Sequence, residues 1–433
     1  MRLFFKIKSK MRKIVNITSK FHSNIFWMLL GNGIKVLSGI LVTAYVARQL
    51  GVELFGIIAY SLSILTILMV ISRLGMESLL VRNLARIDDS QDRNSNIGMA
   101  YYLMQYTSLL VFVSGFAVVY YIFGDVDRTY VILIITISVL FQPMMVIDYN
   151  FQSQCLNAVN FKSKVFSIII GSFVKIFLAW SGHGVMVIAA AYVLEPMLYY
   201  AMQSVSYNNI EHQKPILSWV YNSKKWKSNL LQSTPLVITG LLGILLTRFD
   251  HFYIDAVLGV ESLSIYSVAV RFYESWIMFP QIVALAIIPI LTYKLDKSKG
   301  QSDPIIQALI INISLSILFV VACYFGSEYV INLLFGREYI EASNVLIVLS
   351  YTTIFMSIGS LYFRVLINEN NQKKIAIILL LTLVLNIILN LILVESMGVI
   401  GSAYAMLLSV GLVYSLFFLF DPSAIKIRHS LFG

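Results

Sequence analysis

Apolar segments about as long as a bilayer crossing, separated by short polar linkers, run through nearly the whole chain. A crossing needs about 20 predominantly apolar residues to cover about 30 Å of hydrocarbon. Twelve segments meet that requirement: 22–47, 55–78, 98–123, 129–149, 165–181, 185–206, 230–256, 262–291, 304–326, 341–367, 375–395 and 398–420. None shows the short blocks of alternating apolar and polar residues that a transmembrane barrel requires. Backbone groups in lipid must find partners within their own segment, so the pattern predicts helices throughout.

Composition and charge place those helices in a membrane. Hydrophobic residues make up 58% of the 433, and charged residues only 12%, against roughly 25% in soluble domains. Twenty-three of the 32 lysines and arginines lie in the two tails or in every second linker. They are Arg2, Lys6, Lys8, Lys10, Arg12, Lys13 and Lys20, then Arg82, Arg86, Arg93, Lys162, Lys164, Lys214, Lys224, Lys225, Lys227, Lys294, Lys297, Lys299, Lys373 and Lys374, and finally Lys426 and Arg428. The alternate linkers hold only Arg48, Arg128 and Arg337. The positive-inside rule then makes both termini cytoplasmic. The net charge of +10 reads as topology plus attraction to anionic lipid headgroups, and nucleic acid is not an expected partner.

The first twenty residues alternate basic with apolar side chains, which predicts an amphipathic helix on the inner leaflet. No small-residue cleavage site follows them, so a removable signal peptide is not expected. Cys155 and Cys323 fall in different topological settings, and with five scattered histidines they build no metal site. No metal and no cofactor is expected.

The chain reads as a duplication. "LGVE" at Leu50–Glu53 returns at Leu258–Glu261, "FG" at Phe123–Gly124 returns at Phe335–Gly336, "NxK" at Asn160–Lys162 returns at Asn371–Lys373, and "GV" at Gly184–Val185 returns at Gly398–Val399. The echoes keep their order and their topological position. The expected organisation is a basic cytoplasmic segment (1–21), a six-helix lobe (22–206), a cytoplasmic linker (207–229), a second six-helix lobe (230–420) and a cytoplasmic tail (421–433). Each half holds an even number of spans, so the two bundles run parallel. The fold class is all-α, a polytopic membrane protein of about twelve transmembrane helices.

Charges inside the spans carry the chemistry. A charged side chain at mid-bilayer costs about 2.5–3.5 kcal/mol on the insertion scale, so it persists where it is paired or lines a wet cavity. Asn32, Lys35, Gly39 and Thr43 form one helical stripe; Ser264, Ser267, Arg271, Glu274 and Gln281 form another. Gly240, Gly243, Thr247 and Asp250 lie together, with Arg248 beside them. Ser167, Gly171 and Lys175 share a face, as do Tyr192, Glu195 and Tyr199. Two readings stay open for each charge: an internal ion pair, or a shared aqueous cavity. In the cavity reading Lys35, Lys175, Arg248 and Arg271 bind an anion, and arginine's planar fork suits a diphosphate. Glu195, Asp250 and Glu274 are the candidates for binding a proton or sodium ion. Pro143, Pro196, Pro235, Pro280 and Pro289 are expected to kink their helices.

"YVARQLGVELFG" (Tyr45–Gly56), "RFDHFYIDAVLGVESLSIYSVAVRFYES" (Arg248–Ser275) and "LLFGREYIEASNVLIVLS" (Leu333–Ser350) resemble segments of bacterial polysaccharide exporters. With twelve spans the resemblance covers nearly the whole chain and points to the Wzx-type O-antigen flippases, of the MATE-like (MOP) superfamily. It implies a MATE-like fold of two bundles and a cationic central cavity. It implies as substrate an undecaprenyl-diphosphate-linked oligosaccharide, an O-antigen unit of lipopolysaccharide or a related repeat, moved from the cytoplasmic to the periplasmic leaflet of the bacterial inner membrane. The mechanism would be alternating access driven by an ion or the membrane potential, with membrane lipids, a polysaccharide polymerase and a chain-length regulator as further partners. A MATE-like multidrug or cation antiporter shares the architecture but calls for an acidic cavity. An enzyme is not expected, because the linkers on the outer side are short and no catalytic triad-like set converges.

Overall fold

In the computed structural model the described residues of each expected span are helical, apart from turn residues at or near the span ends. The structure describes residues 2–87, 89–122, 126–209, 219, 223–286, 304–369 and 371–424. The helices are α1 (Arg2–Arg73), α2 (Met76–Leu84), α3 (Ser90–Ile122), α4 (Val126–Thr136), α5 (Met145–Ser153), α6 (Asn157–Trp180), α7 (Val185–Asn208), α8 (Ser223–Leu258), α9 (Val260–Ala286), α10 (Pro304–Leu334), α11 (Ala342–Asn368), α12 (Gln372–Met397) and α13 (Val399–Phe420). Among the described residues, ten segments are long and apolar enough to cross a bilayer. The first, Phe26–Arg73, is two crossings in one, and α9 has crossing length although Arg271 and Glu274 interrupt its apolar run.

Two expected boundaries turn out differently. The first two spans are separated only by a kink, because Gly51 leaves the helical region at φ 77°, ψ 175°. The second ends at Arg73, where Leu74 and Gly75 both take positive φ and α2 begins in a new direction. Pro143 breaks the fourth span into α4, a 3-10 segment (Ile137–Met144) and α5. Pro196, Pro235 and Pro280 sit inside α7, α8 and α9. Pro289, the side chains of the basic N-terminus, and most of the 207–229 linker and the 421–433 tail lie outside the described residues.

The echoes differ in how far the backbone follows them: the "GV" glycines part, Gly184 at φ −64° and Gly398 at φ 67°. Gly51 and Gly259, the glycines of the two "LGVE" copies, both adopt positive φ, at 77° and 86°. Glycine takes that region without the Cβ penalty other residues meet. Each ends the first crossing of its half.

The chain groups into two compact units. One comprises Met1–Val42, Ile71–Asp125 and Leu133–Thr234; the other comprises Thr43–Val70, Val126–Ile132 and Pro235–Gly433. The first unit is centred on Met76, Leu80, Ile97, Met104, Tyr149 and Phe151. Arg93 ties it together by donating to the Leu84 and Ile87 carbonyls at 2.9 and 2.8 Å, which satisfies the C-terminal carbonyls of α2, and to Asn150 on α5 at 3.1 Å. The second unit has the larger core, running through Leu246, Tyr266, Tyr273, Leu349, Tyr362 and Val410. Its helices approach closely through small and hydroxyl residues, with Ser316 and Ser357 hydrogen-bonded at 2.6 Å and Gly359 facing the Tyr414 ring. Such contacts replace the hydrophobic drive that lipid does not supply between helices. Large apolar side chains such as Phe173, Trp180, Phe325 and Leu412 are exposed, which suits a surface that faces acyl chains.

Candidate functional site: a cationic cavity in the second unit

Three helical segments of the second unit converge on one cavity of ≈ 190 Å³. The second crossing of α1 supplies Ser63 and Thr66, each hydrogen-bonded back to the carbonyl four residues earlier, so their hydroxyl oxygens remain as acceptors. Helix α8 supplies Arg248 and His251, three residues apart and hence on one face. Helix α9 supplies Ser267, Arg271 and Glu274, the stripe read from the sequence.

Electrostatically the cavity is basic. Arg248 Nη1 lies 2.7 Å from Glu274 Oε1. The Arg271 side chain has no hydrogen-bond or ion-pair partner among the described residues, though its carbonyl accepts from Ser275. Two guanidinium groups against one carboxylate leave a positive excess in a space walled by Phe55, Leu62, Leu65 and Val270. Charge in such a low-dielectric setting acts more strongly than at a wet surface. Arg248 Nε, His251 Nδ1 and Ser267 Oγ are shut off from solvent without a hydrogen-bond partner. Buried polar atoms are rarely left so, and their convergence on one cavity marks it as a place where a polar ligand or an altered conformation completes the bonding.

Asp250 faces away from the cavity into a second polar cluster. It is 2% exposed. Tyr266 Oη donates to its Oδ2 at 2.7 Å and Asn390 Nδ2 donates to its Oδ1 at 2.8 Å. Ser402 Oγ in turn donates to Asn390 Oδ1 at 2.7 Å. No cation pairs with this carboxylate among the described residues. His251 packs edge-on against Tyr266, with centroids 5.3 Å apart, so one tyrosine touches both the cavity lining and the Asp250 cluster.

The remaining candidates belong to the first unit and do not line this cavity. Lys175, 6% exposed, pairs with Glu195 at 2.5 Å and lies 4.6 Å from the Tyr192 ring centroid. These two residues realise the ion-pair reading, joining α6 to α7 where Gly171 lets the helices approach. Lys35 is exposed on α1. On its stripe Asn32 accepts a hydrogen bond from Lys164 at 2.7 Å, so Lys164 is drawn into the helical bundle rather than left in a linker. Sequence reading passed over His251 and the Asn386–Asn390–Ser402 support for Asp250. The signal was present: two asparagines four residues apart in the otherwise strongly apolar α12.

A family model described as polysaccharide biosynthesis protein matches residues 21–294, and a MatE model matches residues 235–392. A Haloferax volcanii protein named as a probable low-salt glycan biosynthesis flippase is 31% identical over 204 residues, covering 46% of this chain and 43% of the relative. The chain therefore aligns with less than half of that protein. The capsular polysaccharide biosynthesis protein CapF of Staphylococcus aureus is 24% identical over 399 residues, 89% of this chain and 95% of the relative. Among solved structures, an inward-facing multidrug resistance MATE family transporter of the MOP superfamily superposes with a TM-score of 0.71 at 12% identity, covering 94% of this chain and 98% of its own. The lipid II flippase MurJ in an inward closed conformation gives 0.69 at 17% identity, covering 94% and 89%. The fold is thus the MATE-like fold expected from the sequence.

Proposed function

The chain belongs to the polysaccharide biosynthesis protein family, a family of transporters and flippases rather than of enzymes, and we propose that it flips a lipid-linked glycan precursor across a bacterial inner membrane. The cargo we propose is an undecaprenyl-diphosphate-linked oligosaccharide, an O-antigen or related repeat unit, carried from the cytoplasmic to the periplasmic leaflet. The observation that carries this reading is the cavity's unpartnered Arg271 beside Arg248. A diphosphate is an anion that two guanidinium forks can hold bidentately, and it is the charged part of the cargo that cannot cross hydrocarbon unaided.

In the proposed cycle the cavity captures the diphosphate from the cytoplasmic side while the polyprenyl tail stays in lipid, and alternating access then presents the headgroup to the periplasm. Lys35 is proposed as an additional cation along the path, and Lys175 with Glu195 as a structural ion pair. Asp250 is the proposed coupling site, because it is a buried carboxylate held by neutral donors and can accept a proton or sodium ion without first giving up a basic partner. An ion gradient or the membrane potential, worth about 2.3 kcal/mol per charge per 100 mV, would reset the cycle. The proposed orientation has both termini in the cytoplasm, a reading the lysine and arginine bias supports.

A MATE-like cation antiporter is a second reading, favoured by the MatE match over residues 235–392 and by Glu274 at the cavity. Deleting the gene separates the two. The flippase reading expects a lipid-linked oligosaccharide to accumulate on the inner leaflet, its mass naming the glycan, with unchanged drug susceptibility. Raised drug susceptibility with no accumulated intermediate would favour the antiporter.

A further inference from the structure

Among the described residues the Arg271 side chain is unpaired, whereas Arg248 is held by Glu274 at 2.7 Å, and all three line the same space. A glutamate carboxylate and a phosphate oxygen engage a guanidinium by the same charge-assisted hydrogen bonds, so a diphosphate that enters must compete with Glu274 for Arg248. Resting on the reading of this cavity as the diphosphate site, we infer that Glu274 is a resident counter-ion: it occupies Arg248 while the cavity is empty and is displaced by the cargo.

The geometry favours the carboxylate as the partner that moves. The Glu274 side chain is 33% exposed and that of Arg248 14%. Glu274 has no second partner among the described residues, so leaving Arg248 breaks a single contact. Arg248 is the more enclosed of the two, with Nε shut off from solvent. Glu274 also follows Arg271 by three positions on α9, which makes the two side chains neighbours on one helix face. A diphosphate spanning Arg248 and Arg271 therefore leaves the displaced carboxylate beside a bound anion.

Two consequences follow from the charges. In the empty carrier Glu274 compensates one of two half-buried cations, which would otherwise repel each other across a low-dielectric space. In the loaded carrier its repulsion weakens the grip on the diphosphate. A carrier must bind strongly enough to capture and weakly enough to release, as conduction through binding sites also requires. Glu274 sets that balance by opposing the two arginines.

The test uses the full chain purified into nanodiscs, titrated with undecaprenyl diphosphate, with flipping rates taken from the same variants in proteoliposomes. Glu274→Gln preserves shape and removes the charge. The inference expects it to bind about tenfold tighter, the scale of a modest charge-pair coupling, and to flip more slowly because release is impaired. Arg248→Gln/Glu274→Gln should gain less over Arg248→Gln than Glu274→Gln gains over the unaltered protein, since the competition needs both partners and only the repulsion remains. A merely structural pair would not give tighter binding together with slower turnover. Unchanged or weaker binding by Glu274→Gln, with Arg271→Gln still lowering affinity, overturns the inference and leaves the anion-site reading standing. If Arg248→Gln and Arg271→Gln both bind like the unaltered protein, the anion site itself is wrong, and the inference falls with it. Unchanged elution as a monodisperse particle, with Glu274→Asp restoring weaker binding, separates these outcomes from misfolding.

Discussion

Arg128 donates through Nη2 to Asp255 Oδ2 at 2.5 Å, and its guanidinium carbon lies 4.3 Å from the centroid of the Tyr60 ring. The pair sits on the same helix face as the cavity residues, because Asp255 follows Arg248 by seven positions and His251 by four along α8. Between them Phe252 meets Tyr60 edge-on at 5.3 Å. Nearby, Arg48 Nη1 donates to the Leu333 carbonyl at 3.3 Å, and Tyr339 Oη donates to the Ala47 carbonyl at 3.2 Å. Burial pushes the Tyr339 phenol up to about 12, so it stays a neutral donor at physiological pH. Arg48 and Arg128 are two of the three cations that break the charge bias of the linkers. Their contacts give a structural reason for that exception: they fasten the turn at Gly51 and the start of α4 to α8 and α10.

The proposed alternating-access cycle predicts that this fastening parts during transport. Arg128→Cys/Asp255→Cys, placed in a background lacking the free thiols Cys155 and Cys323, should stop flipping when joined by a short bis-methanethiosulfonate cross-linker, since an Arg–Asp pair holds its Cα atoms farther apart than a direct disulfide spans, and recover it on reduction. The rate under each condition, with cross-linking verified by mass, checks this. Full activity in the cross-linked protein would show that the two segments need not separate.

The architecture was legible because lipid imposes it. Span length reports on a constraint that acts locally along the chain, and Gly51 and Gly259 both take positive φ where the crossings around them end. The stripe Ser267–Arg271–Glu274 was legible for the same reason, since helical spacing alone puts it on one face. What the sequence left open was partnership across helices. Lys175 and Glu195, twenty positions apart, pair with each other, while Asp250 takes Asn390 from a helix 140 positions away. Periodicity within one segment carries no information about that choice. Arg128 looked like a stray charge for the same reason, its partner lying 127 positions on.

The Lys175–Glu195 pair predicts an asymmetry in stability. Removing one member leaves the other uncompensated in the bundle, so Lys175→Met should destabilise the protein by about 3–5 kcal/mol, reduced for the partial exposure of Glu195, whereas Lys175→Met/Glu195→Leu should be near neutral. Thermal unfolding of detergent-purified variants measures both. A double variant as unstable as the single one would show that the pair is not the reason these charges persist.

Asp250→Asn keeps the shape of the side chain beside Tyr266 and Asn390 but removes its charge. Flipping should lose its response to an imposed sodium or proton gradient while the protein remains folded. Rates with and without each gradient check this. An undiminished response would move the coupling site elsewhere.

Gly51→Ala and Gly259→Ala place a Cβ on backbone at positive φ. Each should cost about 1–3 kcal/mol, read as a lower unfolding midpoint. Gly184→Ala, at φ −64°, should cost less, because that backbone is open to any residue.

The central claim is that Arg271 and Arg248 hold the cargo's diphosphate, and the most direct measurement of it is the rate at which undecaprenyl-diphosphate-linked oligosaccharide crosses proteoliposomes. Arg271→Gln and Arg248→Gln are expected to lower that rate at least tenfold, with both variants inserted and folded as the unaltered chain is. Flipping at the unaltered rate in both would contradict the account.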